Sequence, residues 1–398
     1  MLEESEARQR ILSLIPPVTA ESVRLDQAVG RYAAADVFAT LPLPPFDNSA
    51  MDGYAIHSSD CGPAGRKLIL TGEQPAGPDR GLEVTAGHCV RIFTGAPLPR
   101  GTGAVVMQED TLRSADGQCI SLTESTDPGE FIRQAGADLC AGQRILTAGD
   151  PITPTRLAVL ASQGSATLLC GTRPRACLVT TGNELIPPGQ AFTASGQIYN
   201  SNGPMLGALL AQAGAKTTAL HSPDDLPLLT QILGNALTSH DVVVLAGGVS
   251  VGDHDFVKPA LEALGIPLQF WRVRMKPGKP FLFTTHAGKL IFGLPGNPAS
   301  AFVTAVLFVL PALRKLAGAS DTGALPATTP ATLTAAAGNP GDRPHYLRGH
   351  YQFSTASFTP VGLQQSHALA ALASSNALLR LAPDAVVPAG SVHPVILF

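Results

Sequence analysis

An apolar strand that ends in a glycine turn lies at residues 241–256 of this sequence. The β-branched run from Val242 to Leu245 is broken by Gly247 and Gly248, and a helical pattern begins at Phe256. A strand, a glycine turn and a helix in this order form half of a βαβ unit. Because glycines let the backbone come close to a ligand and a helix N-terminus favours an anion, we expect a ligand at this turn.

Strands and helices alternate on both sides of this turn. Strands are expected at residues 176–180, 216–220, 268–272, 281–283 and 290–292, and helices at residues 205–213, 226–237 and 299–316. This alternation predicts a mainly parallel sheet covered on both faces, with ligands bound past the carboxyl ends of the strands. The polar turns TTGNE, GGVSVGDHD, MKPGKP and GLPGNP are expected at those ends.

The remainder of the chain reads differently. Helices are expected at residues 3–14, 22–30 and 153–163, and an Ala-, Thr- and Pro-rich hinge at residues 319–330. Short runs bounded by Gly and Pro predict an all-β domain with strands at residues 67–71, 89–93, 104–108, 118–122 and 130–133. A second small β domain is predicted in the tail, with strands at residues 349–353, 377–381 and 392–398.

Composition excludes several classes of protein. Charged residues make up 14% of the chain and the formal net charge is −3, so no basic field attracts a long nucleic acid. The acidic N-terminus is not a signal peptide, and the apolar run at residues 299–313 is too short to span a bilayer. The six cysteines include no CxxC pair, which favours reduced, partly buried thiols.

Acids and bases are expected to meet at one rim of the sheet. The acids there are Glu184, Asp224 and Asp255, and the bases lie in WRVRMKPGKP at positions 272, 274, 276 and 279. Carboxylates beside a phosphate site are explained if a divalent cation bridges them to the phosphate. Asp253 belongs to the same motif, while His254 is expected to be near a ligand or in solvent rather than to be a ligand.

Simpler interpretations remain open for several of these residues. Asp255 could be an early-helix residue that complements the helix dipole, Asp224 could cap its helix, and Lys276 with Lys279 could be a solvated turn. The Walker A, GxGxxG and GxSxG motifs are absent, which argues against a nicotinamide oxidoreductase and a serine hydrolase.

A proline-rich loop at residues 41–56 displays Asp47, Asn48, Ser49 and Asp52 close together. Prolines force extended backbone there, and rigid display of a carboxylate suits a functional site. A plain crossing between domains is the alternative. Thr94 lies in a second exposed turn, at the end of a predicted strand.

Six motifs occur in order along the chain: PPFDNSAMDGYA (residues 44–55), RIFTGAPLPRGTGAVV (91–106), TTGNEL (180–185), GGVSVGDHDF (247–256), MKPGKP (275–280) and GLPGNPASAF (293–302). Together they resemble the molybdenum insertase family, of the MoeA and gephyrin E-domain type. The motifs cover the whole chain, and the first is close to diagnostic of the family.

The resemblance implies an elongated homodimer of four-domain chains, of class multidomain α/β plus β. A MogA-like α/β domain that binds molybdopterin would comprise residues 1–20 and 171–319. A small connecting domain would comprise residues 21–46 and 142–170, a β-rich lobe residues 47–141, and a C-terminal β domain residues 320–398.

The activity implied by the resemblance is insertion of molybdate into adenylylated molybdopterin with Mg²⁺, which gives the molybdenum cofactor and AMP. The implied location is the cytoplasm. The implied partners are a MogA-like adenylyltransferase and apo-molybdoenzymes, with no nucleic acid and no membrane.

The resemblance also assigns roles to single residues. Glu184, Asp224 and Asp255 would hold Mg²⁺ on the pyrophosphate, while Lys276 and Arg272 would neutralise it or hold molybdate. Asp52, arriving from the partner subunit, and Thr94 would help to close the site. The positions expected to bind substrate are Gly247, Gly248, Ser250, Gly252, Arg272, Lys279, Pro295, Asn297 and Ser366.

Two departures from the family pattern bear on these roles. Gln365 stands before Ser366 where a glycine is usual, and the HSPDD segment around Asp224 differs from the commoner D-x-P form. The alternative functions are a MogA-type molybdopterin adenylyltransferase and a non-catalytic cofactor-binding scaffold. Tungstate, an oxyanion of nearly the same size and charge, is an alternative to molybdate.

Overall fold

A computed structural model describes residues 1–250, 252 and 255–398, so Val251 and the motif residues Asp253 and His254 lie outside the described residues. The chain folds into two compact units. The larger unit comprises Met1–Ala35, Thr147–Ala161 and Ser165–Phe398, and the smaller comprises Asp36–Leu146 and Ser162–Gly164.

A six-stranded sheet is the centre of the larger unit. Its strands lie in the order Lys216–Ser222, Arg175–Thr181, Val242–Ala246, Lys289–Leu294, Leu282–His286 and Phe270–Trp271. The first four strands are parallel, and each of the last two is antiparallel to the strand before it. The prediction of a mainly parallel sheet is confirmed.

The central strand, Val242–Ala246, is buried on both faces. Val242 and Val244 belong to the core on one face, while Val243 and Leu245 belong to the core on the other. Successive side chains of a strand point to opposite faces, so a strand covered by helices on both sides must be apolar throughout. The β-branched run in the sequence therefore marks the middle of the sheet.

Helices cover both faces of this sheet, at Asn202–Gln212, Leu226–Ser239, Val257–Ala263 and Pro298–Leu316. The helix Leu226–Ser239 shows why they form where they do. Asp225 is its N-cap residue and accepts a hydrogen bond from the Leu228 backbone N–H at 2.8 Å. Leu229, Leu233 and Ala236 then recur on one buried face.

The helix Pro298–Leu316 is interrupted by one wide turn. Residues Ala305–Val309 form a π-helical segment between the α-helical segments Pro298–Thr304 and Leu310–Leu316. Pro311 lacks an N–H and its ring would clash with the carbonyl four residues earlier, which a wider turn relieves. By length and composition this helix could cross a membrane, but 83% of its apolar 18-residue stretch is buried inside the protein. Its apolar side chains belong to the core of the larger unit.

One predicted helix is wrong. Residues 22–30 form the end of the strand Ala20–Arg24 and the 3-10 turn Leu25–Gln27 instead of a helix. The strand pairs antiparallel with Thr167–Gly171, and this ladder of backbone hydrogen bonds outweighs the local helical pattern. The other two helices predicted in the flanking segments are confirmed, at Glu4–Ser13 and Pro154–Ser162.

The tail of the chain closes into a barrel, which confirms the predicted β domain. Neighbouring strands of the barrel are Thr328–Leu333, Ser357–Pro360, His345–Gln352, Ala377–Leu381 and Val392–Leu397. Leu347, Phe358 and Leu379 are among its buried residues. The hinge predicted at residues 319–330 is folded instead, since it holds the short helix Asp321–Ala324, capped by Ser320, and the start of the first barrel strand.

The smaller unit is all-β, as predicted. Its six-stranded sheet has the order Thr102–Met107, Gly53–His57, His88–Ile92, Lys67–Gln74, Cys119–Leu122 and Thr111–Arg113. Tyr54, Ile56, Leu68 and Ile120 form part of the core on one face. All six cysteines of the chain are free.

The other elements of the chain are short. The paired strands are Leu2–Glu3 with Val273–Arg274, Val37–Phe38 with Arg144–Leu146, Asn48–Ser49 with Ile132–Arg133, Leu185–Ile186 with Ile198–Tyr199, and Ala337–Gly338 with Val386–Val387. The described residues also form two 3-10 turns, Ser58–Asp60 and Gln108–Asp110, and the helix Leu369–Ala373.

Candidate functional site

A cavity of about 810 Å³ opens at the carboxyl ends of the parallel strands. This is where open α/β sheets bind their ligands. Predicted site residues from four separate turns line the cavity together: Glu184, Asp224, Gly247, Gly248, Ser250, Gly252, Asp255, Pro295 and Asn297.

The turn after the central strand depends on glycine. Gly247 and Gly248 have φ values of +102° and +65°, in the left-handed region that favours glycine. A Cβ on Gly247 would lie 2.8 Å from both the carbonyl oxygen and the Oγ1 of Thr181. Any side chain here would separate two neighbouring turns, so glycine lets the floor of the cavity close.

Glu184 lies over a second glycine. Gly182 has a φ of +143°, and a Cβ at this position would lie 2.4 Å from Oε2 of Glu184. The carboxylate therefore folds back across Gly182 at the end of the strand Arg175–Thr181, where it lines the cavity.

Asp224 connects two strand ends. Its Oδ2 accepts a hydrogen bond from the Asn183 backbone N–H at 3.1 Å, and its own N–H donates to Oδ1 of Asn183 at 3.0 Å. The helix that follows is capped by Asp225, so the expectation that Asp224 caps it is wrong. Asp224 is thus held beside the turn that carries Glu184.

Asp255 faces back into its own turn. Its Oδ2 accepts a hydrogen bond from the Gly252 N–H at 2.5 Å, and its backbone N–H donates to the Gly252 carbonyl at 3.0 Å. Asp255 lies two residues before the helix Val257–Ala263 and lines the cavity.

The cavity wall carries three carboxylates, and among its described lining residues there is no lysine or arginine. Such a wall repels a bare phosphate unless a cation lies between them. In the described part of the chain, no three His, Cys, Asp or Glu side chains stand close enough to form a ready-made metal site. Mg²⁺ commonly uses one or two carboxylates together with substrate phosphates, so this donor set fits a cation that arrives with its ligand.

The predicted cation Arg272 lies against Trp271 in a strained backbone conformation. Its φ is +74°, and its guanidinium carbon is 3.8 Å from the centroid of the Trp271 ring. The indole N–H of Trp271 donates to the Val249 carbonyl at 3.0 Å. Trp271 thereby supports from outside the turn that lines the cavity.

Lys258 also braces this turn. Its Nζ lies 2.8 Å from the Trp271 ring centroid and donates to the Ser250 carbonyl at 3.1 Å. Burial and the nearby Arg272 lower the pKa of Lys258.

The cavity wall does not include Lys276, Lys279 or Ser366. It does include Pro280, which follows Lys279 in the chain, and His367, which follows Ser366. The hydroxyl of Ser366 accepts a hydrogen bond from the Asn297 side chain at 3.0 Å, which places this serine at the cavity lip. Lys276 is tied by its backbone to Pro344 and Tyr346 at 2.8 Å each.

Asp52 and Thr94 lie together in the smaller unit. Both the backbone N–H and the hydroxyl of Thr94 donate to Oδ1 of Asp52, each at 2.8 Å. These two hydrogen bonds stabilise the carboxylate and hold the pKa of Asp52 below its usual range.

Sequence reasoning missed two buried polar groups of the cavity wall. Oγ1 of Thr181 and Oδ1 of Asn202 have no hydrogen-bond partner among the described residues, although both are buried and both residues line the cavity. Buried polar atoms without partners are rare, so a bound ligand is the natural partner for both. The only signal in the sequence was the polar character of the segments TTGNE and SNGP.

Sequence reasoning also missed a buried basic cluster next to Lys276. Both ring nitrogens of His345, and Nε and Nη1 of Arg348, are buried without a partner in the described part of the chain. Burial, Lys276 and Arg348 lower the pKa of His345 to about 4, so this histidine is neutral near pH 7. Both residues precede the strand predicted at residues 349–353, and nothing in the local sequence marks them.

Comparisons with known proteins identify the family to which this chain is similar. Three family models match the chain: the MoeA N-terminal region (domain I and II) over residues 2–164, a probable molybdopterin binding domain over residues 177–315, and the MoeA C-terminal region (domain IV) over residues 330–398.

Two curated relatives match along almost the whole chain. A molybdopterin molybdenumtransferase of Haemophilus influenzae is 36% identical over 389 residues, which are 96% of this chain and 94% of the relative. Molybdopterin molybdenumtransferase 2 of Mycobacterium tuberculosis is 36% identical over 386 residues, which are 94% of this chain and 93% of the relative.

A solved structure has the same fold. The crystal structure of a molybdopterin biosynthesis moeA protein from Pyrococcus horikoshii aligns with a TM-score of 0.86 and 28% sequence identity, covering 100% of both chains.

Proposed function

Since this chain belongs to the MoeA family and is a molybdenum transferase of molybdenum cofactor biosynthesis, we propose that its cavity binds adenylylated molybdopterin. The chain inserts molybdate into that substrate and releases AMP. The relatives described above are molybdenumtransferases matched over nearly the whole chain, which favours this activity over MogA-type adenylylation.

The observation that carries the proposal is the meeting of three acids with a glycine turn. Glu184, Asp224 and Asp255 come from different turns of the chain, yet all line the cavity that Gly247 and Gly248 close. Its volume, about 810 Å³, lies within the range of roughly 300–1,000 Å³ that is common for small-molecule sites.

The three carboxylates would hold Mg²⁺ against the substrate's pyrophosphate. When bound, the cation neutralises phosphate charge and favours departure of AMP. Thr181 and Asn202 would offer a hydroxyl and an amide oxygen to the substrate, which accounts for the lack of partners of these two oxygens among the described residues. Gly247, Gly248, Ser250 and Gly252 bring the backbone close to the phosphates.

The basic residues would hold molybdate. Lys276, His345 and Arg348 lie close enough that both cations lower the pKa of the histidine. Arg348 is fully buried, so it would act on this group through its positive charge, which helps to keep His345 neutral beside Lys276. Arg272 and Lys279 would add positive charge, and Ser366 would position Asn297 at the cavity lip.

The proposal includes a homodimer in the cytoplasm. Asp52 and Thr94, already joined by hydrogen bonds, would serve the cavity of the partner subunit. A MogA-like adenylyltransferase would supply the adenylylated substrate, and apo-molybdoenzymes would receive the product. The proposal includes no nucleic acid and no membrane.

The test is incubation of the purified chain with adenylylated molybdopterin, molybdate and Mg²⁺, following AMP and metal-loaded cofactor together. Both should appear in parallel without ATP consumption, and chelation of Mg²⁺ should stop both. Asp255→Asn should slow AMP release by roughly 10²–10³, whereas the exposed Asp342 lies outside the cavity and Asp342→Asn should not change the rate. Normal AMP release from a folded Asp255→Asn variant would refute the proposed site.

A further inference from the structure

Two exposed aromatic rings lie together beside the cavity. The ring centroids of Phe192 and Tyr199 are 4.6 Å apart, with 40° between the ring planes. Phe192 is 53% exposed and Tyr199 is 43% exposed. Each ring therefore contacts the other and still presents surface to solvent, which is an unfavourable state for two aromatic side chains without a ligand.

The pair is fixed to the turn that carries Glu184. Tyr199 belongs to the short strand Ile198–Tyr199, which pairs in parallel with Leu185–Ile186. The Ile198 N–H donates to the Glu184 carbonyl at 2.8 Å. The ring of Tyr199 is thus positioned by the same stretch of backbone that positions a proposed metal ligand.

The loop between the two rings is held by its own hydrogen bonds. The Tyr199 hydroxyl donates to the Gln190 carbonyl at 3.0 Å. Oε1 of Gln197 accepts hydrogen bonds from the Thr193 and Ala194 backbone N–H groups at 2.7 and 3.1 Å. A ligand that meets the rings therefore meets a surface ordered in advance, so little entropy is lost on binding.

The wall of the cavity changes character at this side. Leu185, Ile198 and Tyr199 form an apolar stretch of the lining, and Phe192 extends it outward by packing on Tyr199. The acids and the glycine turn make up the polar part of the same cavity. A ligand with a charged centre and a flat apolar end matches this division.

We propose that Phe192 and Tyr199 form a stacking platform for a flat heteroaromatic ring of the substrate. This inference rests on the proposed function, because adenylylated molybdopterin carries such a ring at each end of its pyrophosphate, adenine on one side and the pterin on the other. With the pyrophosphate at the acids, one of the two rings lies on the platform.

The experiment measures binding rather than turnover. The full-length chain is titrated by calorimetry, in the presence of Mg²⁺, with two separate probes, AMP and molybdopterin that lacks AMP. Phe192→Ala should weaken binding of the probe that carries the stacked ring by roughly fivefold or more, the loss typical of one base–aromatic stack. Phe192→Tyr keeps an aromatic ring at this position and removes no hydrogen bond, so its affinity should stay within about twofold of the unmodified chain.

A matched control removes a different exposed aromatic ring, one that packs on a buried tyrosine. Phe353 is 72% exposed and packs on Tyr351 with ring centroids 5.0 Å apart, in the C-terminal barrel. Phe353→Ala should leave the affinity for both probes unchanged. Melting temperature and oligomeric state are measured for every variant, so that misfolding and altered assembly are detected.

Each result has a defined meaning. A loss of affinity for AMP alone assigns the platform to adenine, and a loss of affinity for molybdopterin alone assigns it to the pterin. A loss of affinity for both probes with an unchanged Tm shows that adenine and the pterin both use the platform. Unchanged binding of both probes by Phe192→Ala, or a change of oligomeric state alone, overturns the platform. The proposed function still stands if Asp255→Asn lacks AMP release, and both ideas fall if the unmodified chain neither binds the probes nor releases AMP.

Discussion

Replacing Gly182 by alanine should displace the Glu184 carboxylate without unfolding the chain. The added Cβ would lie 2.4 Å from Oε2 and 2.8 Å from Oε1 of Glu184. Both oxygens are at the end of a flexible side chain, so Glu184 moves and the strand before it stays in place. The remaining cost is the backbone conformation at φ +143°, about 1–3 kcal/mol for a residue other than glycine.

The effect on activity should be larger than the effect on stability. Removing one positioned electrostatic group from an active site typically costs about 3–4 kcal/mol of transition-state stabilisation, or roughly 10²–10³ in rate. Gly182→Ala is therefore expected to slow AMP release about a hundredfold or more. Glu184→Gln should show a similar loss of rate without the loss of stability.

Gly214→Ala is the matched control for this prediction. Gly214 has a φ of +88°, and a Cβ at this position would have no neighbouring atom within 4 Å, so alanine brings backbone strain without displacing any group. Urea unfolding and AMP release are measured for all three variants. Full-rate AMP release by Gly182→Ala would refute the role given to Glu184, and an equal loss of rate in Gly214→Ala would show that stability alone was responsible.

Three further predictions concern acid stability, capping and assembly. The pKa of His345 is about 4 in the folded chain and its ordinary value is 6.5, so the unfolded chain binds more protons between these two pH values. The free energy of unfolding should therefore fall by up to about 3 kcal/mol as the pH drops from 6.5 to 4. His345→Gln should remove this pH dependence, which unfolding titrations measure. Asp225→Ala should destabilise the chain by about 1 kcal/mol through loss of the N-cap, while AMP release persists. Asp224→Ala should lose AMP release. Equal activity of the two variants would contradict the separate roles of the two acids. Asp52→Asn and Asp255→Asn should each be inactive. If each cavity uses residues of both subunits, a mixture in which the two variants have exchanged subunits should recover up to roughly a quarter of the activity. No recovery despite subunit exchange would contradict the shared site.

The parts of the fold that the sequence predicts are those set by local periodicity. The strand Val242–Ala246 is apolar at every position because helices cover both of its faces, and this pattern is visible in the sequence alone. The helix predicted at residues 22–30 failed because the strand Ala20–Arg24 pairs with Thr167–Gly171, far away in the chain. A local pattern contains no information about a partner so distant.

The candidate site was predictable in the same partial way. The turns that carry Glu184 and Asp255 follow strands, so parallel topology brings them to one rim. Asp225 caps the helix while Asp224 lines the cavity, and two adjacent acids in a sequence do not reveal this difference. Arg348 lies outside the strand predicted at residues 349–353, and the lack of partners for its Nε and Nη1 among the described residues is a property of packing that no local pattern shows.

The central claim is that acids from separate turns act on one ligand in one cavity, and a double-mutant cycle tests it most directly. AMP release is measured for Glu184→Gln, Asp255→Asn and the double variant. As a reference for a distant site, Asp342→Asn is combined with Glu184→Gln and, separately, with Asp255→Asn. Groups that act through a shared ligand are non-additive, so the double variant should be at most about tenfold slower than the slower single variant. Losses that multiply in full, as for independent sites, would contradict the account.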